Sequence, residues 1–257
     1  MDKLVEKFDE KDENAIYWTD GVKVYFRHYE IRGADIETFE HYFGCWATDK
    51  KNCYLGSTKI KDVNKETFTI LNLTYAKDDF NVWTLGGKIK EVDAKTFEVC
   101  DNGKYSLGKH YKKITETEGI YYESFVPYGF GKDKNNVYYY DFSGKPNIVK
   151  NALPQTFVSL NDGFFGYDEK NVFCKINKLN KADPKTWKII KSGYYYSKDK
   201  ILYYFNRIIK DADPETFEVI EKTQKIGLPL QLAKDKNNYY LNDSIITKEE
   251  MGNYINK

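Results

Sequence analysis

The chain has 257 residues, with 40 basic against 39 acidic side chains, a net charge of +1, and 41% hydrophobic and 31% charged residues. These proportions exclude a disordered chain, and the cancelling charge leaves no field to draw nucleic acid and no basic block to hold phosphates. No apolar run reaches the length of a membrane span, and the 23 Tyr and 16 Phe favour pleated strands, where a ring packs while its hydroxyl stays near water.

Residues 1–13 read as a charged lead-in without the apolar stretch of a signal peptide, with a short helix over residues 4–8 as its one candidate element. A cytoplasmic protein is expected, unless an export signal has been removed. The four cysteines, Cys45, Cys53, Cys100 and Cys174, are scattered without CxxC spacing or partner histidines, so buried thiols in a reducing compartment are the expectation.

From residue 14 to residue 257 one motif recurs, which predicts a single repeat domain. Its marker is the large aromatic of a Thr-Phe type pair: Phe39, Phe68, Phe97, Phe157, Trp187 and Phe217, with degenerate sites at Phe125 and Met251. Successive spacings of 29, 29, 28, 32, 30, 30 and 34 residues predict about eight tandem repeats. Asp-Lys-Asn type turns at 49–52, 133–136, 168–171 and 235–238, with weaker versions at Asp20, Asp78 and Asp199, precede runs such as Val137-Tyr138-Tyr139-Tyr140. Asp bonds backbone N–H groups inside a turn and Asn tolerates the left-handed conformation, so each is read as a β-hairpin tip.

The segment Ala182-Asp183-Pro184-Lys185-Thr186-Trp187 has the chemistry of one helical turn. Asp caps it, Pro suits its first position, and Ala and Trp have the spacing of a hydrophobic staple. Residues 212–217 repeat it, while Thr247 to Met251 substitutes a Thr-x-x-Glu capping box. One repeat is then a helical turn, a short strand and a hairpin, too small to bury a core unless it stacks on its neighbours. The predicted fold is an all-β array of hairpin repeats, an open solenoid or meander, with a closed propeller-like array as the alternative. Three strands are thin for a propeller blade, where four are usual.

The residues that carry this pattern, YxKDKNxVYY followed by ADPxTFEVI, resemble the DKNYY repeat family of bacterial proteins. The resemblance spans essentially the entire chain and is most specific at 133–139 and 235–240. It implies the repeat and carries over no activity and no functional residue.

Chemistry is sparse. His28, His41 and His110 have no metal-helix spacing, and no GxSxG, HExxH, P-loop or GxGxxG occurs. The Asp residues recur at turns and caps, where a backbone role accounts for them, and the DKDKNN stretch lacks the Gly and distal Glu of a calcium loop. No catalytic residue, metal or cofactor is therefore expected. Function is sought where the repeat breaks. Residues 101–122 replace the hairpin turn by Gly108-Lys109-His110 and bring Tyr121-Tyr122 before the next anchor. Residues 141–151 and 223–230 are two smaller insertions, and insertions in arrays map to surface loops, often on a binding face. The candidate binding residues are His110, Tyr111, Tyr121 and Tyr122, with Arg27 and Arg32 around Tyr29 as a second position.

The reading that follows is a non-catalytic protein-interaction module, of the kind that neutralises a toxin in a bacterial cytoplasm. Its partner would be another protein, with no nucleic acid and no membrane. A carbohydrate-binding repeat protein is the alternative, on the strength of tyrosines available for stacking on sugars. A glycoside hydrolase on a propeller-like scaffold is the second, and requires two carboxylates facing across one cleft.

Overall fold

The structure, a computed structural model, describes residues 5–6, 16–42, 44–113, 118–142, 144, 146–191, 194–197, 201–220 and 231–255. Among the described residues regular structure is antiparallel β, apart from a 3-10 turn at Ile36–Thr38 and one α-helix, Lys248–Ile255. Contacts divide the chain into two compact units, Met1–Val149 with Leu153–Phe165, and Lys150–Ala152 with Gly166–Lys257.

The strands form small meanders in sequence order. The first sheet holds Tyr17–Thr19, Val24–Phe26 and Tyr29–Glu30. The second holds Glu40–Tyr42, Trp46–Thr48, Cys53–Leu55 and Thr58–Lys59. The third holds Thr69–Ile70, Tyr75–Lys77, Val82–Thr84 and Gly87–Lys88, and the fourth Glu98–Val99, Gly129–Lys132, Val137–Tyr140 and Asn147–Ile148. The fifth holds Val158–Ser159, Phe165–Tyr167, Val172–Cys174 and Asn177–Lys178. The sixth runs Lys188–Lys191, Tyr194–Ser197, Ile201–Tyr204 and Arg207–Ile208, and the seventh Glu218–Ile220, Leu232–Lys234, Tyr239–Leu241 and Ser244–Ile246. An eighth, two-stranded sheet pairs Tyr105–Lys113 with Gly119–Val126.

The all-β hairpin array is as expected, with four corrections. Phe125 does not open a repeat: it lies in the strand Gly119–Val126 opposite Ser106, so seven sheets belong to the repeat and the eighth is an insertion. Gly108-Lys109-His110 is not a turn but part of the strand Tyr105–Lys113, whose register shifts between Ser106 and Lys109. Val5 and Glu6 form no helix and pair instead with Tyr42 and His41, on the edge of the second sheet. Outside the three-stranded first sheet the unit also has four strands rather than three, so strand count weighs less against a blade.

The last strand of a repeat sheet comes from a second, tighter turn. Its first residue is Arg27, Gly56, Lys175, Phe205 or Asn242, each left-handed with φ between 48° and 58°. Two-residue turns with positive φ match the twist of the flanking strands. A buried aliphatic residue then ends the sheet: the N–H of Ile31, Ile89, Leu179 and Ile209 donates to the carbonyl of Val24, Val82, Val172 and Leu202.

The core has one recurrent contact. Four anchor aromatics, Phe39, Phe68, Phe97 and Phe217, pack against a small residue in the second strand of the sheet that they enter, and Phe68 does so against Ala76. Phe39 clusters with Ala47, and Phe217 with Ala233. In the fourth sheet the small residue is Gly131, where a Cβ would collide with the Phe97 ring. Ala34 packs against the cluster that holds Phe39, and Ala212 and Phe217 both pack against the cluster that holds Ala233.

Candidate functional site

The recurrent polar residues are used inside the repeat. Asp49 Oδ1 accepts the N–H groups of Lys51 and Asn52, both at 2.7 Å, and closes the hairpin turn. Its Oδ2 accepts the Asp35 N–H at 3.0 Å and the Tyr54 hydroxyl at 2.5 Å. Asp133 repeats this with Asn135, Asn136, Asp93 and Tyr138, and Asp235 with Asn237, Asn238, Asp213 and Tyr240. One carboxylate thus ties three places: the turn, the following strand, and the cap of the segment entering the sheet.

The residues around it complete the joint. Lys50 and Lys134 form ion pairs of 2.6 Å with the cap residues Asp35 and Asp93, and Lys236 one of 2.5 Å with Asp213. Thr38, Thr96 and Thr216 accept the N–H of the same lysines through Oγ1. The D-K-x-N and D-x-x-T motifs are two halves of one joint. Burial raises the Asp49 carboxyl, but bonds from Tyr54 and the Asp35, Lys51 and Asn52 N–H groups outweigh it and bring the pKa to about 2. Burial first, then the Asp235 carboxylate, pushes the Tyr240 hydroxyl to about 12.

The joint varies at two places that sequence reading placed differently or only in part. In the sixth sheet Ser197 takes the inter-segment role, with its Oγ accepting the Asp183 N–H at 2.5 Å. Asp199 lies outside the described residues. In the first sheet Asp20 accepts Val22, Lys23 and Tyr25.

Sheets of the first unit are also linked forward. Tyr17 donates its hydroxyl to the Cys45 carbonyl at 2.6 Å, Trp46 its Nε1–H to Leu73 at 3.2 Å, and Tyr75 its hydroxyl to Gly129 at 3.0 Å. These hydroxyls and Tyr139, which donates to the Gly163 carbonyl, are buried. Tyr17, Tyr75 and Tyr139 are therefore engaged inside the fold.

The insertion is different. Sheets two, three and five cross from their first to their second strand within a few residues, as between Ile70 and Tyr75; the fourth crosses from Val99 to Gly129 through the inserted hairpin. In its register His110 faces Tyr122 and Tyr111 faces Tyr121. The four candidate residues therefore meet as neighbouring pairs on one ladder, and what is described of them is their backbone. Arg27 and Arg32 are not part of this group. Arg27 is the exposed, left-handed turn residue of the first sheet, with its guanidinium 5.6 Å from the Phe26 ring centroid and its carbonyl accepting Trp18 Nε1–H. Arg32 is exposed in the turn after Ile31.

The root of the hairpin is built from residues that sequence reading missed. Tyr105 stacks on Tyr128 at 5.9 Å, and both meet the edge of Phe164, at 4.5 and 5.8 Å. Lys104 Nζ stands 4.2 Å from the Phe125 ring centroid. Asp101 accepts Gly103 N–H through Oδ1, and Phe130 N–H and the Ser159 hydroxyl through Oδ2. Burial raises its pKa; the bonds it accepts oppose this and Asp162 adds to it. The available signal was positional: Asp101 follows Phe97 by four residues, as Asn72 follows Phe68, and Asn72 Oδ1 likewise accepts from Thr74 and Tyr75.

The remaining candidates are quickly placed. His28 is exposed, and His41 stacks on Tyr17 with ring centroids 5.6 Å apart. All four cysteines are free thiols, with Cys53 and Cys174 buried and Cys45 and Cys100 partly so. Of the two smaller insertions, 223–230 lies outside the described residues, while the other carries Phe142, exposed and at φ 65°. Among the described residues no group of three or more His, Cys, Asp or Glu is placed to hold a metal ion, and no helix is long and apolar enough to cross a membrane.

Tandem hairpin sheets joined through an Asp–Tyr–cap clamp define an all-β repeat protein with one inserted hairpin. The chain belongs to the DKNYY family, which matches residues 46–206 and 195–256. No curated protein and no solved structure matches it.

Proposed function

We propose that this chain is a non-catalytic protein-interaction module, in which the repeat sheets are the frame and the inserted hairpin is the recognition element. One observation carries the reading: a connection that takes a few residues in other sheets here holds Tyr105–Lys113 and Gly119–Val126 as a separate ladder. The polar groups of the motif are already engaged within the joints, so a contact specific to one partner has to come from residues outside the motif. Three tyrosines and a histidine, paired as His110 with Tyr122 and Tyr111 with Tyr121 on one ladder, supply residue types that anchor protein interfaces. The partner proposed is a protein toxin whose active surface the chain covers, in a bacterial cytoplasm. Arg27 and Arg32 would form a separate contact on the first sheet.

The test is purification from the native host with neighbouring genes expressed, and identification of companions by mass spectrometry. A stoichiometric protein is expected. Its affinity should fall by about tenfold or more when His110, Tyr111, Tyr121 and Tyr122 are replaced by alanine, with circular dichroism unchanged. Recovery of no stoichiometric protein would remove the reading. A partner held equally well by the quadruple variant would leave the interaction role and move the site elsewhere.

A further inference from the structure

We infer that the hairpin takes up its partner by strand addition along residues 109–113, and that the added segment is acidic. This rests on the interaction reading above and names the chemistry of its partner.

The first support is backbone geometry. From Lys109 to Lys113 the ladder runs without interruption against Glu123 to Gly119. The sheet has two strands, and among the described residues no third strand joins it. In an antiparallel pair half of each strand's N–H and C=O groups point away from the partner strand, and such an edge is a template for another extended chain. The register shift between Ser106 and Lys109 separates this stretch from the aromatic root, so the root holds the hairpin while the distal edge is left for pairing.

The second support is charge. Residues 109–113 read Lys-His-Tyr-Lys-Lys, and no acidic residue occurs from 104 to 113. The facing stretch, 119–123, reads Gly-Ile-Tyr-Tyr-Glu and holds no lysine. The chain as a whole carries only +1, so this basic strand is a local departure. Like charges set opposite one another across a ladder are destabilising, which disfavours a second copy pairing through the same edge. A segment with Glu or Asp opposite the lysines satisfies both the backbone and the charge.

The experiment uses the full chain and a synthetic peptide of alternating Glu and Val, with a Gln-for-Glu peptide as control. Binding is read by fluorescence anisotropy, and its location by backbone hydrogen exchange. The acidic peptide is expected to bind and to slow exchange within 109–113. Binding should weaken by about tenfold or more with K109E/K112E/K113E, and also on raising the salt. K109Q/K112Q/K113Q is a milder second variant, with unfolding temperature monitored for both. Equal binding of the Gln peptide, protection at 119–123 instead, or tighter binding of single-stranded polynucleotide would each overturn the inference. A native partner lost on alanine replacement of His110, Tyr111, Tyr121 and Tyr122, yet retained at unchanged affinity by K109Q/K112Q/K113Q, would overturn the acidic edge alone. The interaction reading would then stand.

Discussion

The Tyr54 hydroxyl donates to Asp49 Oδ2 at 2.5 Å, across the hairpin turn that Asp49 closes with its other oxygen. The same carboxylate receives the N–H of Asp35, fourteen residues earlier. A turn, a strand and an incoming segment therefore depend on one side chain.

That dependence sets the scale of two substitutions. Tyr54→Phe removes one charge-assisted bond and should cost about 1.5–3 kcal/mol. Asp49→Ala leaves several N–H groups and a hydroxyl without their acceptor, and should cost more, about 3–5 kcal/mol. Because the groups share a bond, the double variant should be less damaging than the sum. Urea unfolding of the four proteins measures the coupling, and strict additivity would show that the Asp49–Tyr54 bond contributes nothing of its own.

Acid should loosen the joints. Asp49 titrates at about 2, and Asp35, Asp93, Asp213 and Asp235 are also held below the ordinary carboxylate range. A carboxyl whose folded pKa is depressed adds stability above its unfolded value of about 4, and this is lost as pH falls through the folded value. The unfolding temperature should therefore drop between about pH 4 and pH 2. Asp101 acts in the opposite sense, since its raised pKa favours the folded state as it protonates. Thermal melts by circular dichroism at pH 7, 4, 3 and 2 check the direction; a flat profile would contradict the clamp.

Gly131→Ala tests the small position under the anchor. Its methyl would meet the Phe97 ring in a buried site, and overpacking of this kind costs about 1–3 kcal/mol. Phe97→Leu in the same chain should recover part of the loss. Failure of the second substitution to recover anything would place the strain elsewhere.

Thiol accessibility probes the same cores. Burial pushes the Cys53 thiol to about 11 and the Cys100 thiol to about 12. At pH 8 both should react far more slowly with a disulfide reagent than in urea, because the thiolate is the nucleophile. Rapid labelling of Cys53 in the native protein would contradict its buried place in the second sheet.

The parts of this fold that could be read from the chain are the parts that close locally. Asp49, Asp133, Asp168 and Asp235 bond the N–H groups two and three residues on, so their turns were legible from a few letters. The Asp183 and Asp213 caps were legible for the same reason. The fourth strand was not, because two residues such as Asn177–Lys178 are too few to show alternation. Phe125 matched the anchor spacing by number alone, and Ser197 did the work expected of an aspartate nearby.

The sequence by itself determined the class, the repeat and the chemistry of its turns, since backbone preference and short-range hydrogen bonds act over a few residues. Only the tertiary structure decided which side chains the turns serve. Asp133 holds the N–H of Asp93 forty residues away, across an insertion that no local signal spans. It also decided that His110, Tyr111, Tyr121 and Tyr122 share one ladder while Arg27 and Arg32 lie in turns at the first sheet. Strand pairing is a contact between segments, and its register is set by both of them together rather than by either alone.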